Sequence, residues 1–172
     1  AFPGNYHDVQ LILKVRGNND RGARNILQAY CSKDSRIKVI DQTLSRIELD
    51  ALADESNVYL SMHRSEGFGF GPAEALASEK IVVSTDYGGS RDFINSATGY
   101  PVDYKLIPLK PGDYPYWENQ LWAEPMIDSA VSALRNIYDH YDRALERAKK
   151  GRNLMLDQHA FGVAGKALKH LL

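Results

Sequence analysis

The sequence predicts an α/β fold, a mostly parallel sheet with helices on both faces. Three observations carry this. Short apolar runs alternate with helical patterns over the first two-thirds of the chain, the runs are four to seven residues long, and the spacers are long enough for a crossover helix. Val9 to Val15 reads as the first strand, bounded by Asp8 and by Gly17, Asn18 and Asn19. Arg21 to Cys31 reads as a helix with Ile26, Leu27 and Tyr30 at helical spacing, and Ile37 to Ile40 as the second strand. Ser45 and Glu48 have capping-box spacing and open a helix carrying Ile47, Leu49, Leu52 and Ala53. Val58 to Met62 is the third strand and Ile81 to Ser84 the fourth. The helix between them is expected to start at Pro72, because proline suits a first helical turn. Tyr100, Pro101 and Val102 make a short last strand, confined to an edge by Pro101.

The remainder departs from this alternation. Residues 104–125 hold Pro108, Pro111, Pro115 and Pro125 among Tyr104, Tyr114, Tyr116, Trp117 and Trp122, without clear periodicity. So many rings argue against disorder. Two readings stand: a strap covering the sheet edge, or part of an acceptor or lid surface. From Met126 to Leu172 the pattern is helical, with Ile127, Ala130, Val131, Leu134, Ile137 and Tyr138 on one face and breaks expected at Gly151 and Gly162. The whole chain, 172 residues, fits one domain: an α/β core over 1–103, the aromatic connection over 104–125 and helices over 126–172.

Composition narrows the function classes. A net charge of -1 gives no field to hold nucleic acid or an anionic membrane. No apolar run approaches the roughly 20 residues of a membrane span, and Ala1 to His7 has no signal-peptide pattern. Cys31 is the only cysteine, which excludes an internal disulfide and suits a reducing compartment. These features predict a cytoplasmic protein, with peripheral contact at the inner membrane face left open.

The chemistry concentrates after the third strand. Gly67, Gly69 and Gly71 alternate with Phe68 and Phe70, and a helix follows. Glycines let a backbone approach a ligand, and a helix amino terminus offers free amides to an anion. Glu66 and Glu74 flank this loop, eight positions apart. Carboxylates beside a phosphate site need another partner, and sugar hydroxyls are natural ones because an ionised carboxylate only accepts. Taken singly, Glu66 reads as a cap and Glu74 as a solvated helix residue. Taken with the glycine loop, the pair reads as a sugar-nucleotide site.

The segment Ser65 to Glu74 resembles the Glu-(seven residues)-Glu signature of retaining GT-B glycosyltransferases, a group that includes glycogen synthases and bacterial mannosyl- and rhamnosyltransferases. The resemblance runs from about Val9 to Val102. It includes Gly67-Phe68-Gly69, Glu74-Ala75-Leu76-Ala77, Ile81 to Ser84 and Gly88-Gly89. It implies the Rossmann-like carboxyl-terminal half of a GT-B fold. It implies that Glu66, the catalytic candidate, contacts donor-sugar hydroxyls and Glu74 the ribose. Amides of Phe68, Gly69 and Phe70 would face the sugar and diphosphate. The base would lie near Ile40, Asp41 and Gln42, against Leu44 or Leu49. The substrate implied is a UDP- or GDP-sugar, with no cofactor and no metal, and the chain contains no Asp-x-Asp pair.

One departure stands out against that group. Its first strand, a basic loop and the amino-terminal acceptor-binding domain have no counterpart in these residues, and the strand is central in the group's order. An edge left there favours pairing with another chain, hence a homo-oligomer. The basic residues near predicted strand ends are Lys14, Arg16, Arg64 and Arg91. Arg64 is the best-placed of them, as a phosphate contact or a structural partner, while Lys14 ends a strand in solvent. For His63, contact with a donor phosphate or sugar stands beside packing within the loop. His7, His63, His140, His159 and His170 have no metal-site spacing. The leading expectation is a retaining transferase that uses a nucleotide-sugar donor and a carbohydrate or glycoconjugate acceptor. Behind it stand a non-catalytic nucleotide-sugar-binding or assembly fragment, and then a nucleotide-sugar epimerase.

Overall fold

The structure is a computed structural model and describes residues 1–15, 21–160, 162, 163, 165 and 169. Arg16, His170 and the turn expected at Gly17, Asn18 and Asn19 lie outside the described residues. The chain forms two compact units, Ala1–Leu52 and Ala53–Leu172.

The first unit is one strand–helix–strand crossover. Strand β1 (Leu11–Lys14) leads through helix α1 (Arg21–Lys33) to β2 (Ile37–Ile40), which pairs with β1 in parallel, Leu11 opposite Ile37 and Lys14 opposite Ile40. Arg36 ties the amino-terminal segment to the start of β2. Its guanidinium donates to the carbonyls of Phe2 (3.0 Å), Pro3 (3.2 Å) and Tyr6 (2.6 Å) and pairs with the Asp34 carboxylate at 2.6 Å. Helix α2 (Arg46–Glu55) begins in this unit behind the expected capping box. Ser45 N donates to Glu48 Oε2 at 2.7 Å and Glu48 N to Ser45 Oγ at 3.3 Å, which satisfies two donors the helix end would leave free.

The second unit holds a three-stranded parallel sheet in the order β3 (Val58–Ser61), β4 (Ile81–Thr85), β5 (Tyr100–Val102). All five residues of β4 are buried, as expected of a central parallel strand whose apolar run is covered on both faces. Ile81 and Val83 pack with Tyr100, Val102 and the inner residues of helices α4 (Ile127–Asp139) and α5 (Tyr141–Gln158). Val82 packs on the other face with Ala73 and Leu76 of helix α3 (Phe70–Ala77), with Phe93 and Ile94, and with Met155 near the end of α5. β5 is an edge strand, as Pro101 requires.

Three expectations need correction. Helix α3 starts at Phe70, so Pro72 stands inside its first turn rather than at its start. The segment over 104–125 is an antiparallel hairpin of β6 (Tyr104–Pro108) and β7 (Leu121–Pro125), with Leu106 opposite Ala123. Gly151 does not break the last helix. It lies inside α5, where a side chain would overlap Leu76 and stand 3.0 Å from the Thr98 carbonyl, so glycine is what lets α5 approach α3. The break falls instead at His140, whose extended φ of -135° separates α4 from α5. On the predicted face of α4, Ala130 and Ile137 are buried while Ile127 and Tyr138 are exposed. Among the described residues no helix is long and apolar enough to cross a membrane.

Candidate functional site

The two loops at the carboxyl ends of β3 and β4 form one structure, as loops in this position of a parallel sheet commonly do at a ligand site. The first runs from Met62 through Glu66 to Gly69, and the second from Asp86 to a short 3-10 turn at Gly89–Asp92. Gly89 N donates to the Glu66 carbonyl at 3.3 Å. Side chains could not stand between them. A Cβ on Gly89 would overlap the Gly67 carbonyl, and one on Gly88 the Glu66 carbonyl. Gly88 also has a φ of 79°, a conformation costly for any other residue.

Gly69 is the N-cap of α3, in the left-handed region at φ 88°, and no side chain caps the helix. The amino-terminal amides of α3 therefore point out of the loop with the positive end of the helix dipole behind them. Pro72 lacks an amide, so Phe70 and Gly71 carry the accessible donors. Gly67 has open space where a side chain would stand. The Phe68 ring packs on Phe93 (5.3 Å) and His159 (5.8 Å), and Phe70 meets Phe68 edge-on at 5.2 Å while remaining largely in solvent.

Glu66 is half-buried on the loop and Glu74 exposed on α3. Both act on Tyr59. The Tyr59 side chain leaves β3 toward α3, and its hydroxyl lies where a side chain on Gly71 would stand. Burial raises its pKa above the ordinary 10, and the charges of Glu66 and Glu74 raise it further. The Tyr59 hydroxyl thus stands beside Gly71, in the first turn of α3. Tyr59 was not legible as a site residue. The only signals were its place on the strand feeding the loop, and a glycine at 71 that leaves room for its ring.

His63 and Arg64 are engaged within the protein. His63 Nε2 donates to the Tyr87 carbonyl at 2.8 Å, and Nδ1 lies 3.0 Å from Ser61 Oγ. A carbonyl only accepts, which places the proton on Nε2. Both ring nitrogens thus join the end of β3 to the loop after β4. Arg64 turns to the hairpin: its Nε is 2.7 Å from Glu124 Oε2, its guanidinium lies 4.8 Å from the Trp122 ring centroid, and its carbonyl accepts from Ala123 N at 2.9 Å. Arg91 pairs with Asp86 at 3.2 Å. Lys14, half-buried at the end of β1, donates to the Val15 carbonyl at 2.6 Å. The residues expected around the base, Ile40, Asp41, Gln42, Leu44 and Leu49, belong to the first unit. There Asp41 pairs with Arg24 at 3.1 Å and borders a cavity of about 570 Å³ walled by Leu27, Cys31 and Val39. Among the described residues no three His, Cys, Asp or Glu side chains come together as a metal site would require.

Comparison with known proteins decides the family. The model of the family described as glycosyl transferases group 1 matches residues 8–105, more than half of the chain and the whole of both loops. The chain belongs to the group 1 glycosyl transferases. Solved structures agree on the fold of this glycosyl transferase domain. It is similar to the C-terminal domain of a glycosyl transferase group 1 family protein (LpcC) from Francisella tularensis, at 17% identity and a TM-score of 0.64, over 84% of this chain and 66% of that one. It is similar to sucrose-phosphate synthase from Thermosynechococcus elongatus, at 19% identity and a TM-score of 0.69, over 94% of this chain and 37% of that one. TarM matches at 17% identity and a TM-score of 0.64, over 96% of this chain and 29% of that one. This glycosyl transferase chain therefore spans under two-thirds of each of those structures. A search of curated proteins finds no match to it. The fold common to these structures is the carboxyl-terminal half of GT-B, in agreement with the sequence.

Proposed function

We propose that this glycosyl transferase domain binds a nucleoside-diphosphate sugar and serves retaining transfer of the sugar to a carbohydrate or glycoconjugate acceptor. The carrying observation is the joint made by the uncapped, left-handed start of α3 and the Gly88–Gly89 loop, flanked by two glutamates that both act on Tyr59. In this reading the amides at the start of α3 meet the diphosphate, where leaving-group charge develops as the bond from the anomeric carbon to the phosphate oxygen breaks. Glu66 accepts from hydroxyls of the donor sugar, and Glu74 from the ribose diol. The acceptor hydroxyl supplies the new bond to the anomeric carbon, and its proton leaves with the diphosphate. His63 holds the two loops in register, as its two internal hydrogen bonds support.

A second reading has its own support. Arg64, the cation nearest the loop in sequence, is taken up by Glu124 and Trp122. That favours a domain that binds donor but needs cations from elsewhere for turnover. Donor hydrolysis and sugar transfer by this chain separate the two readings. Release of free sugar or transfer with a nucleotide-sugar donor supports the catalytic one, and calorimetric binding without either supports the binding one. Absence of binding to both UDP- and GDP-sugars rejects both.

A further inference from the structure

Between Glu66 and Phe70 the loop after β3 has one side chain, Phe68, because Gly67 and Gly69 carry none. Among the described residues the amides of Gly67, Phe68 and Gly69 take no backbone hydrogen bond. That frees them for a ligand and leaves the loop few ties of its own. The segment is held at its ends, where Gly89 N donates to the Glu66 carbonyl at 3.3 Å and Ala73 N to the Gly69 carbonyl at 2.9 Å. Between those ends, the course of the backbone depends on where the Phe68 ring is packed.

That ring meets two others from distant parts of the chain. Phe93, just after the 3-10 turn, lies 5.3 Å from it, and His159, the residue that follows α5, lies 5.8 Å from it. His159 also meets Phe93 edge-on at 5.9 Å, so the three rings close a triangle. Phe93 is fully buried and packs with Leu76, Val82 and Met155. His159 is exposed, and Phe68 is 37% exposed. Phe70, which also meets Phe68, is the next side chain along and is itself 73% exposed, so it ties the loop to nothing distant. The place of His159 is set by the helix it ends. His159 N donates to the Met155 carbonyl at 2.9 Å, and Met155 is buried in the same core as Phe93. Imidazole suits this position, since it lays an apolar body on the rings and keeps a polar tip in water.

We propose that His159 is a positioning residue for the donor site: by holding the Phe68 ring, the end of α5 sets the backbone of residues 67–69 where the nucleotide sugar is bound. The proposal rests on the donor reading above. It gives α5 a second task besides covering the sheet. Glycine loses more freedom on ordering than any other residue. A loop fixed in advance through its one ring lowers the ordering cost a ligand must overcome. Because His159 is exposed and follows the helix, the buried core keeps its contacts when the imidazole is removed.

The test is calorimetric titration of UDP- and GDP-sugars into the native chain, His159→Ala and His159→Phe, with amide exchange read at residues 67–69. His159→Ala should lose about threefold to tenfold in donor affinity, the scale of one lost aromatic pair, and exchange at 67–69 should quicken. Its melting temperature and the exchange of β4 should stay as in the native chain. His159→Phe keeps a ring without the imidazole nitrogens, and should return affinity and exchange to within about twofold of native. Leu156→Ala, at another exposed position of α5, should change neither. Three results overturn the proposal: His159→Ala binds donor as the native chain does, His159→Phe loses as much as His159→Ala, or exchange quickens in β4 as much as at 67–69. A native chain that binds no donor removes the donor reading instead, and exchange in the two variants then still decides whether His159 holds the loop.

Discussion

In the second unit all five residues of β4 are buried; in the first, no described residue is. The two units use the same grammar, a parallel strand pair joined through a helix, so the difference lies in cover. β4 has α3 on one face and α4 with α5 on the other. In the first unit Leu11 and Ile12 of β1 are over one-third exposed, and Ile26 and Tyr30 of α1 about 60% exposed. An apolar pattern at the right period specifies an element, but its contribution to stability depends on how much of that surface leaves water. The glycine loop and both glutamates stand on the unit with the core. The residues expected at the base stand on the other.

The largest expected effect follows from that contrast. Leu76→Ala removes a fully buried side chain packed against Gly151, and should cost about 2–5 kcal/mol by thermal or urea unfolding. Ile26→Ala removes as much side chain from a largely exposed position and should stay within about 0.5 kcal/mol. Similar losses at both positions would mean that the first unit has a core of its own.

A finer test reads the site directly. The Tyr59 hydroxyl should titrate above its ordinary value of 10, chiefly through burial and further through Glu66 and Glu74. Replacing both glutamates by glutamine should bring it part of the way back, followed by ultraviolet or NMR titration. A titration unmoved by the double substitution would mean that neither glutamate acts on the Tyr59 hydroxyl.

The smallest effect concerns the first unit. Arg36, by hydrogen bonding and charge, holds the Asp34 carboxyl at about 2, below its reference of 3.8. A depressed carboxylate contributes stability that is fully present above the unfolded value and lost as pH falls through the folded one. The first unit should therefore loosen between about pH 4 and pH 2, and Asp34→Asn should remove that part of its acid sensitivity, seen by amide exchange.

Legibility in the sequence follows the same division. The limits of β2, the buried run of β4 and the Ser45–Glu48 capping box were readable because each depends on local pattern. The hairpin was not, since prolines and rings blur the alternation of β6 and β7, and their register closes across a 12-residue loop (109–120). Gly151 misled because a helical glycine reads as a break unless the neighbouring helix is known. Of the site, the family was legible, because the glycine loop and the Glu66–Glu74 spacing lie within a few residues of sequence. The roles of Tyr59, of Arg64 as a hairpin anchor and of His63 as a link between loops arise from long-range contacts that spacing does not encode.

The most direct measurement is calorimetric titration of UDP- and GDP-sugars into the native chain, Glu74→Ala and Lys14→Ala. Glu74 stands on α3 beside the glycine loop, and Lys14 ends a strand of the other unit. Donor affinity should fall tenfold or more with Glu74→Ala, a loss typical of removing a charged hydrogen-bond partner, and should change less than about twofold with Lys14→Ala. Equal effects of the two substitutions would contradict the assignment of Glu74 to the ribose and, with it, the donor site.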